Sequence, residues 1–302
     1  MKKILITTGN GMFGRALMGA MKSTDVQLRV MVRDRSKLHS LSPNTEIVTG
    51  DMDVPETLDP IMEGIDAIFL SSPMDNRIAD REMAVIIKAK KHGVGHIVKI
   101  GGAVRHEDDM LAKMHGKVID FIGSSGIPFT LISPNSVMET SFLENTQSIK
   151  YMHAIYGISG HGKIGLVALK DIAEATAHVL ITPGHEGQNY EITGPGAIDL
   201  YEAAEIFTRV LQTRIHYIDL DESRFTSMLK KYDKSLTTER LETEVLCHLR
   251  AWKNGKADLV THTFKELTGR PPTSLEEFIS DNRIPFTKNM LPSFMAWVFR
   301  KM

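Results

Sequence analysis

The segment KILITTGNGMFG, from Lys3 to Gly14, decides the fold of this chain. Its apolar run Ile4-Leu5-Ile6 predicts a buried strand, which ends at a glycine-rich turn, and apolar residues at helical spacing follow the turn. A G-x-G-x-x-G pattern between a strand and a helix is typical of a dinucleotide-binding turn, because its glycines allow a tight turn, close approach of a pyrophosphate and close packing of the helix on the strand. The N–H groups at the start of the helix then face the phosphates, which the helix dipole also favours. Unless this is an ordinary glycine turn, the residues expected to hold the phosphates are Gly9, Asn10, Gly11, Met12, Phe13 and Gly14.

Length, charge and cysteine content restrict the class of protein. The 302 residues are 42% apolar and 24% charged, an ordinary composition for a globular chain with a sizeable core. The formal net charge is −1 and no basic stripe occurs, so a dedicated nucleic-acid surface is not expected. Cys247 is the only cysteine, which rules out an intrachain disulfide framework and fits a reducing, cytoplasmic location. The first apolar run is too short for a secretion signal and no run reaches the roughly 20 residues that span a bilayer, so no membrane association is expected.

Strand and helix patterns alternate through the first half of the chain. The predicted strands cover residues 3–7, 27–32, 46–49, 67–70, 96–100 and 129–132. The predicted helices between them cover residues 12–21, 55–62, 78–92 and 110–124. This alternation predicts βαβ units, and hence an α/β fold with a doubly wound parallel sheet that has helices on both faces. Ligands in such folds bind beyond the carboxyl ends of the strands, so the residues that follow each strand are the candidates for the site.

The second predicted strand ends at charged residues that indicate the type of cofactor. An acidic residue at this place would bind the ribose hydroxyls of NAD, but Arg33 stands at the strand end and Lys37 follows it. A guanidinium binds phosphate through two parallel hydrogen bonds and an ammonium adds a point charge, so the pattern favours the 2′-phosphate of NADP(H) over NAD(H). Asp34 is the feature that points toward NAD(H), and a solvated charged turn is the alternative interpretation.

Further cofactor contacts are predicted after the third, fourth and fifth strands. Asp51 is expected to accept a hydrogen bond from the adenine amine and Met52 to pack on the ring. The alternative for this segment is a helix N-cap by Asp53. Lys99 lies within the fifth strand, where the pattern assigns it no role. The residues expected near the ribose and nicotinamide are Ser71, Ser72 and Pro73 after the fourth strand, and Gly101 and Gly102 after the fifth.

The alternation ends beyond Pro134, which indicates a second region. Residues 137–147 are predicted as an amphipathic helix, residues 151–165 as a loop, residues 189–192 as a short strand, and most of the chain after residue 200 as helices. We therefore predict an NAD(P)-binding domain over residues 1–135. A smaller, mainly helical substrate lobe is predicted over residues 136–302, with some of its segments returning to the first domain.

Taken in order, the segments resemble one known family. The blocks are TTGNGMFG, VMVRDRSKL, GDMDVPETLDPIMEGIDAIFLSSP, HIVKIGGA, SSGIPFTLISPN, KDIAEATAHVL, NYEITGP and LTGRPPTSLEEFISDNRIPF. The chain resembles the NmrA-like, atypical short-chain dehydrogenase/reductase family, which includes NAD(P)H-dependent quinone-reductase-like and azoreductase-like members. The resemblance implies a Rossmann-like domain, a nicotinamide dinucleotide that is usually the phosphorylated form, and a small C-terminal lobe that sets substrate specificity.

The chain departs from the family at the catalytic positions. Short-chain dehydrogenases usually carry a Tyr and a Lys four residues apart on the helix after the fifth strand. Counting back from Ser125-Gly126 places Leu111 and His115 at these positions. Without the Tyr, alcohol–ketone interconversion lacks its usual acid. His115 is therefore the catalytic candidate, as an acid or a positioning group, because histidine titrates near neutral pH; a structural histidine is the alternative.

Two functions are compatible with these patterns. The first is an NADPH-dependent reductase of a small aromatic or conjugated acceptor (a quinone, azo compound, imine or enone), which delocalises the negative charge and needs little acid catalysis. The second is a non-catalytic NADP(H) sensor that binds a protein partner, as the resemblance to NmrA-type regulators allows. The sequence contains no H-E-x-x-H, C-x-x-C, P-loop or G-x-S-x-G motif, so neither a metal site nor a hydrolytic serine is expected.

Overall fold

The structure, a computed structural model, describes residues 1–38, 44–102, 110–143 and 145–287. Within these residues the strands are β1 (Lys2–Ile6), β2 (Val26–Val32), β3 (Thr45–Thr49), β4 (Ala67–Leu70), β5 (His96–Ile100), β6 (Phe129–Pro134), β7 (Ser136–Val137), β8 (Ala154–Gly157), β9 (Leu166–Val167), β10 (Asn189–Ile192) and β11 (His216–Asp219). The α-helices are α1 (Met12–Ala20), α2 (Asp59–Met62), α3 (Ile78–Lys91), α4 (Met110–Ser125), α5 (Leu169–Ile181), α6 (Leu200–Leu211), α7 (Glu222–Tyr232), α8 (Thr238–Leu241), α9 (Cys247–Lys253), α10 (Thr263–Thr268), α11 (Leu275–Asp281) and α12 (Arg283–Phe286). None of the helices in these ranges combines the length and apolar character needed to cross a membrane.

Seven parallel strands form the central sheet, in the order β10-β6-β5-β4-β1-β2-β3. β1 pairs with β2 on one side and with β4 on the other, so the direction of winding reverses at β1. A crevice opens at the carboxyl ends of the strands where the winding reverses, and ligands of doubly wound folds bind there. The predicted Rossmann-like α/β fold with a doubly wound parallel sheet is confirmed.

The sheet is buried on both faces because its strands are apolar at successive positions. Ile4 and Ile6 of β1 pack into the layer formed with α1, α5 and α10, which includes Leu17 and Ile172. Leu5, which points to the opposite face, packs into the layer formed with α2, α3 and α4. Parallel sheets require this double covering, which explains why their strands read as continuous apolar runs.

The C-terminal half has a hydrophobic core of its own, in which Phe142, Phe207 and Phe286 pack edge to face. Two small parallel sheets accompany it, because β8 pairs with β11 and β7 with β9. Not all of this half is separate, since β10 extends the central sheet beside β6. The proposed division after residue 135 stays a prediction.

Two local predictions for this half differ from the structure. Residues 151–165 were expected to form a loop, but they contain β8, whose partner β11 lies about 60 residues further along the chain. Residues 137–147 were expected to form an amphipathic helix, and their described residues are largely helical but not a regular α-helix. The backbone there forms a π-helical turn over Glu139–Leu143, and a second such turn follows over Ser148–Met152.

Candidate functional site

One cavity of about 880 Å³ lies between the carboxyl edge of the central sheet and the C-terminal core. Its floor comes from the ends of four strands and the turns after them. These residues are Met12 and Phe13 after β1, Ser71 and Ser72 after β4, Gly101 and Gly102 after β5, and Pro134 and Asn135 at the end of β6. The cavity thus occupies the place that the strand order predicts for a ligand.

Two glycines of the turn lie so close to neighbouring atoms that a side chain would not fit at either position. A Cβ at Gly9 would lie 2.1 Å from Val30 Cγ1 and 3.2 Å from the Met31 carbonyl oxygen, so the turn fits tightly against β2. A Cβ at Gly14 would lie 2.1 Å from the carbonyl oxygen of Thr8, so α1 starts directly on the end of β1. Gly11 is the N-cap of α1, and no side chain caps this end. The first N–H groups of a helix have no acceptor within the helix, so those of α1 remain available to an anion.

Neighbouring hydroxyl groups tie the end of β1 to the end of β4. The hydroxyl of Thr7 donates to the Ser71 carbonyl at 2.7 Å and accepts the Ser71 N–H at 3.1 Å, while the hydroxyls of Thr8 and Ser71 bond to each other. Ser71 lines the cavity, whereas Pro73 is exposed beyond it. Asn10 is also exposed, and its carbonyl accepts a hydrogen bond from Arg15 at 3.0 Å.

Arg33 lies exposed at the end of β2, and within the described residues no hydrogen bond or ion pair to its guanidinium is recorded. Asp34 is occupied locally, since its carboxylate accepts the N–H of Ser36 at 3.0 Å and the hydroxyl of the same residue at 2.7 Å. This Asx-type turn accounts for the acidic residue without a ribose contact. The side chain of Lys37 lies outside the described part of the structure.

The segment after β3 is held by its own contacts. The carboxylate of Asp51 accepts the N–H of Asp53 at 2.9 Å, and Met52 is 7% exposed within the apolar layer, so only its edge is open to an adenine ring. The alternative N-cap role of Asp53 is wrong, because no side chain caps the turn at Pro55. Asp53 instead binds Arg81, whose Nε lies at 2.8 Å, and this guanidinium holds the pKa of Asp53 below its usual value.

His115 lies on α4 against the cavity and contacts a buried ion pair. The Nζ atom of Lys99 lies 2.5 Å from Glu82 Oε2, 3.0 Å from the Ile100 carbonyl oxygen and 3.1 Å from His115 Nδ1. An ammonium group has three donors and no acceptor, so Nδ1 is the acceptor of this contact. The neutral ring therefore carries its proton on Nε2. That edge of the ring packs on the backbone of Gly102, where a Cβ would lie 2.9 Å from Nε2.

The expectation that His115 titrates near neutral pH is not met. Burial, with the positive charge of Lys99 as a second cause, lowers the pKa of His115 from 6.5 to about 3. At neutral pH the ring is an uncharged hydrogen-bond donor. The ring lies beside Gly102, one of the residues that the sequence analysis expected near the nicotinamide.

A pH effect on stability follows from this lowered pKa. Below pH 6.5 the unfolded chain binds a proton at His115 that the folded chain excludes, so stability falls as the pH drops from 6.5 toward 3. Between about pH 7.5 and about pH 5 we expect wild type to lose about 2 kcal/mol more of its free energy of unfolding than His115→Leu does. Urea titrations at both pH values measure this difference. The exposed His216→Gln serves as the control and should lose as much as wild type.

The wall opposite the sheet is apolar and aromatic. Four of the residues that line it are Phe142, Tyr151, Met152 and Tyr156. Helix α7 contributes four more residues to this wall, Phe225, Met228, Leu229 and Tyr232. The sequence analysis did not identify them, although their spacing of three and four residues is typical of one helix face.

Glu82 also lines the cavity and was not identified by the sequence analysis, although the sequence contains a pattern that indicates its burial. It stands in the apolar stripe of α3, four residues after Ile78 and four before Ile86, and it is 1% exposed. A carboxylate is almost never buried without a partner, so an acid in such a stripe indicates a cation beside it.

Known proteins resemble this chain over nearly its whole length. A family model described as NAD(P)H-binding matches residues 9–183. The chain is 26% identical to the NAD(P)H azoreductase of Xenophilus azovorans over 288 residues, which cover 94% of this chain and 99% of that protein. It is 27% identical to quinone oxidoreductase 2 of Escherichia coli (strain K12) over 286 residues, which cover 92% of this chain and 97% of that protein.

A solved structure with a bound dinucleotide has the same fold. The NADPH-dependent quinone oxidoreductase from Escherichia coli, complexed with NADPH, superposes with a TM-score of 0.84 at 26% identity, and the match covers 93% of this chain and 99% of that chain. The family resemblance inferred from the sequence blocks is confirmed by these comparisons.

Proposed function

The chain belongs to the NAD(P)H-binding family, and we propose that it is an NADPH-dependent reductase that passes a hydride to a small conjugated acceptor. One observation carries this proposal. A single cavity joins the glycine turn at Met12 and Phe13 to an aromatic wall in the C-terminal half, and His115 faces the space between them. Both a dinucleotide and a flat acceptor therefore have a place in one continuous site.

The glycine turn fits a dinucleotide because its glycines let the turn and the start of α1 pack tightly on β1 and β2, at the edge of the cavity. Gly9 and Gly14 sit where a Cβ would collide with neighbouring atoms, and the uncapped N-terminus of α1 offers N–H donors to the phosphates. On the other side of the switch point, the backbone of Gly101 and Gly102 lines the cavity and would hold the nicotinamide. When bound, the reduced nicotinamide supplies the hydride.

His115 is proposed as the group that meets the acceptor. Burial keeps the ring of His115 uncharged. Its Nε2–H group can then donate a hydrogen bond to the oxygen or nitrogen on which negative charge develops. The wall that includes Tyr151, Tyr156 and Phe225 offers aromatic surface on which a flat conjugated ring can pack. Quinones, azo compounds, imines and enones share this shape and delocalise charge, and two of the relatives are named for the first two of these classes.

The proposal is tested by the loss of reduced-nicotinamide absorbance when NADPH is mixed with a panel of quinones, azo compounds, imines and enones. We expect turnover with at least one class and slower turnover with NADH. Tight NADP(H) binding without turnover of any class would contradict the reductase and favour a sensor that binds a protein partner.

Arg33→Ala tests the choice of dinucleotide. The exposed guanidinium at the end of β2 is expected to bind the 2′-phosphate through charge-assisted hydrogen bonds of about 1.5–3 kcal/mol, so NADPH binding should weaken at least about tenfold while NADH binding stays unchanged. Calorimetric titration of both dinucleotides measures the ratio. Arg35→Ala is the matched control, because the guanidinium of Arg35 donates to the Ile47 carbonyl at 2.9 Å and should not contribute to the preference. An unchanged preference in Arg33→Ala would remove the phosphate assignment.

A further inference from the structure

Lys99 has no role in the proposed hydride transfer, yet its burial demands an explanation. It lies within β5 and its exposed fraction is 0%. Burying an ammonium group is costly unless it is paired, and here each of its three donors has an acceptor: Glu82, the Ile100 carbonyl and His115. Two of the three partners, Glu82 and His115, line the cavity.

A continuous chain of polar groups runs from the cavity through this pair and back to the cavity. The hydroxyl of Ser72, which lines the cavity, donates to Glu82 Oε1 at 2.8 Å, and Glu82 Oε2 accepts from Lys99 at 2.5 Å. Lys99 then donates to Nδ1 of His115, whose Nε2 edge lies beside Gly102. The ring thus accepts a hydrogen bond from Lys99 at Nδ1 and carries its proton on the Nε2 edge, beside Gly102 in the lining of the cavity.

We propose that Lys99 and Glu82 form a positioning relay, which fixes the Nε2–H form of His115 and replaces that proton when the acceptor takes it. This inference rests on the proposed reductase function. By the count back from Ser125-Gly126, Leu111 and His115 stand where short-chain dehydrogenases carry their Tyr and Lys. The relay supplies the missing proton from the strand instead.

The step balances for a quinone. The acceptor gains a hydride, with its two electrons, at one position, and the negative charge develops on its oxygen. Nε2 of His115 gives its proton to this oxygen while Nδ1 takes a proton from the Lys99 ammonium, which becomes a neutral amine. A proton from solvent in the cavity then returns to Nε2 while Nδ1 gives its proton back to the Lys99 amine, so that the Nε2–H ring and the ammonium are both restored.

Among the described residues, the titratable side chains that contact Lys99 are those of Glu82 and His115. Glu82 on α3 and His115 on α4 contact Lys99 on β5, and the next charged residue of α3, Arg81, is bound to Asp53 and Asp75 instead. Changes in proton transfer on altering Lys99 can therefore be assigned to this set.

The test variant replaces the pair together, Lys99→Met with Glu82→Gln, so that no unpaired charge is left buried. The control is Lys88→Met. Lys88 lies on α3, as Glu82 does, but it pairs with Asp59 of α2 and does not line the cavity. The first readout is nitrogen-15 NMR of histidine side chains in the protein without ligand. We expect His115 in wild type and in Lys88→Met to be protonated on Nε2 alone, and the double variant to show a mixture of the two neutral forms.

The second readout separates the proton from the hydride. Menadione needs a proton to complete its reduction, whereas an N-methylated dihydroisoquinolinium salt becomes neutral on taking a hydride and needs none. In the double variant kcat for menadione should fall about 100-fold, within the range for general acid catalysis, while kcat for the iminium salt and KM for NADPH stay within about twofold.

The outcomes separate this proposal from the reductase proposal. If wild type reduces neither acceptor nor any of the wider panel, the reductase fails, but the NMR readout still reports on the relay. A double variant whose His115 keeps only the Nε2–H form would overturn the relay. An equal loss of rate with both acceptors would also overturn it, since a purely structural ion pair affects both equally.

Discussion

Gly14→Ala is expected to weaken dinucleotide binding about 10- to 100-fold. The added Cβ would lie 2.1 Å from the carbonyl oxygen of Thr8 and 2.9 Å from its carbonyl carbon, and backbone atoms cannot turn aside as the end of a side chain can. The start of α1 must therefore move away from β1, and such overpacking costs about 1–3 kcal/mol. Because the N–H groups at this end are the proposed phosphate ligands, the shift should appear directly in the Kd for NADPH measured by calorimetry.

Gly19→Ala is the matched control for this prediction. Gly19 lies in the same helix, is exposed, and a Cβ there would meet no atom within 4 Å. Replacing a helical glycine by alanine should raise the free energy of unfolding by up to about 1 kcal/mol and leave NADPH binding unchanged. Equal NADPH affinity in Gly14→Ala and wild type would show that the phosphates do not bind at this turn.

His115→Leu is expected to lower kcat for quinone reduction about 100-fold while KM for NADPH changes little. The substitution removes the Nε2–H donor of a ring that lines the cavity, and a positioned acid contributes about 100-fold or more to such a step. Stopped-flow measurement of a single turnover would separate this loss from product release.

His115→Gln distinguishes the hydrogen bond from the proton. Its amide oxygen can accept from Lys99 and its NH2 group can donate toward the cavity, but an amide does not give up a proton. We therefore expect kcat for quinones in the order wild type, His115→Gln, His115→Leu. If all three proteins have the same kcat, His115 has no part in the reaction.

Local patterns were sufficient for the elements that build the cofactor side. The glycine turn, the six first strands of the central sheet and α1 were all predicted close to their observed bounds. Each depends on residues within one short segment: an apolar run, a glycine or a helical spacing. Arg33 was assigned in the same way, and the structure places it exposed at the end of β2.

The errors arose where distant residues meet. Residues 151–165 contain β8 because β11 pairs with it, and no pattern within the segment predicts that pairing. Asp53 has the residue type of an N-cap but binds Arg81, which lies 28 residues away, because α3 folds back over the end of β3. Predictions from residue type fail here because a side chain has several possible partners and folding selects among them.

The positions of the first six strands, the glycine turn and a nicotinamide dinucleotide as the class of cofactor follow from the sequence, since they depend on local patterns and on the residue types at a few positions. The state of His115 does not. Its ordinary pKa suggested an acid at neutral pH, and only the packing of α3 and α4 on β5 buries it beside Lys99 and Glu82. Charge and protonation depend on which groups are buried together away from water, and here that is decided by how three successive elements pack on one another.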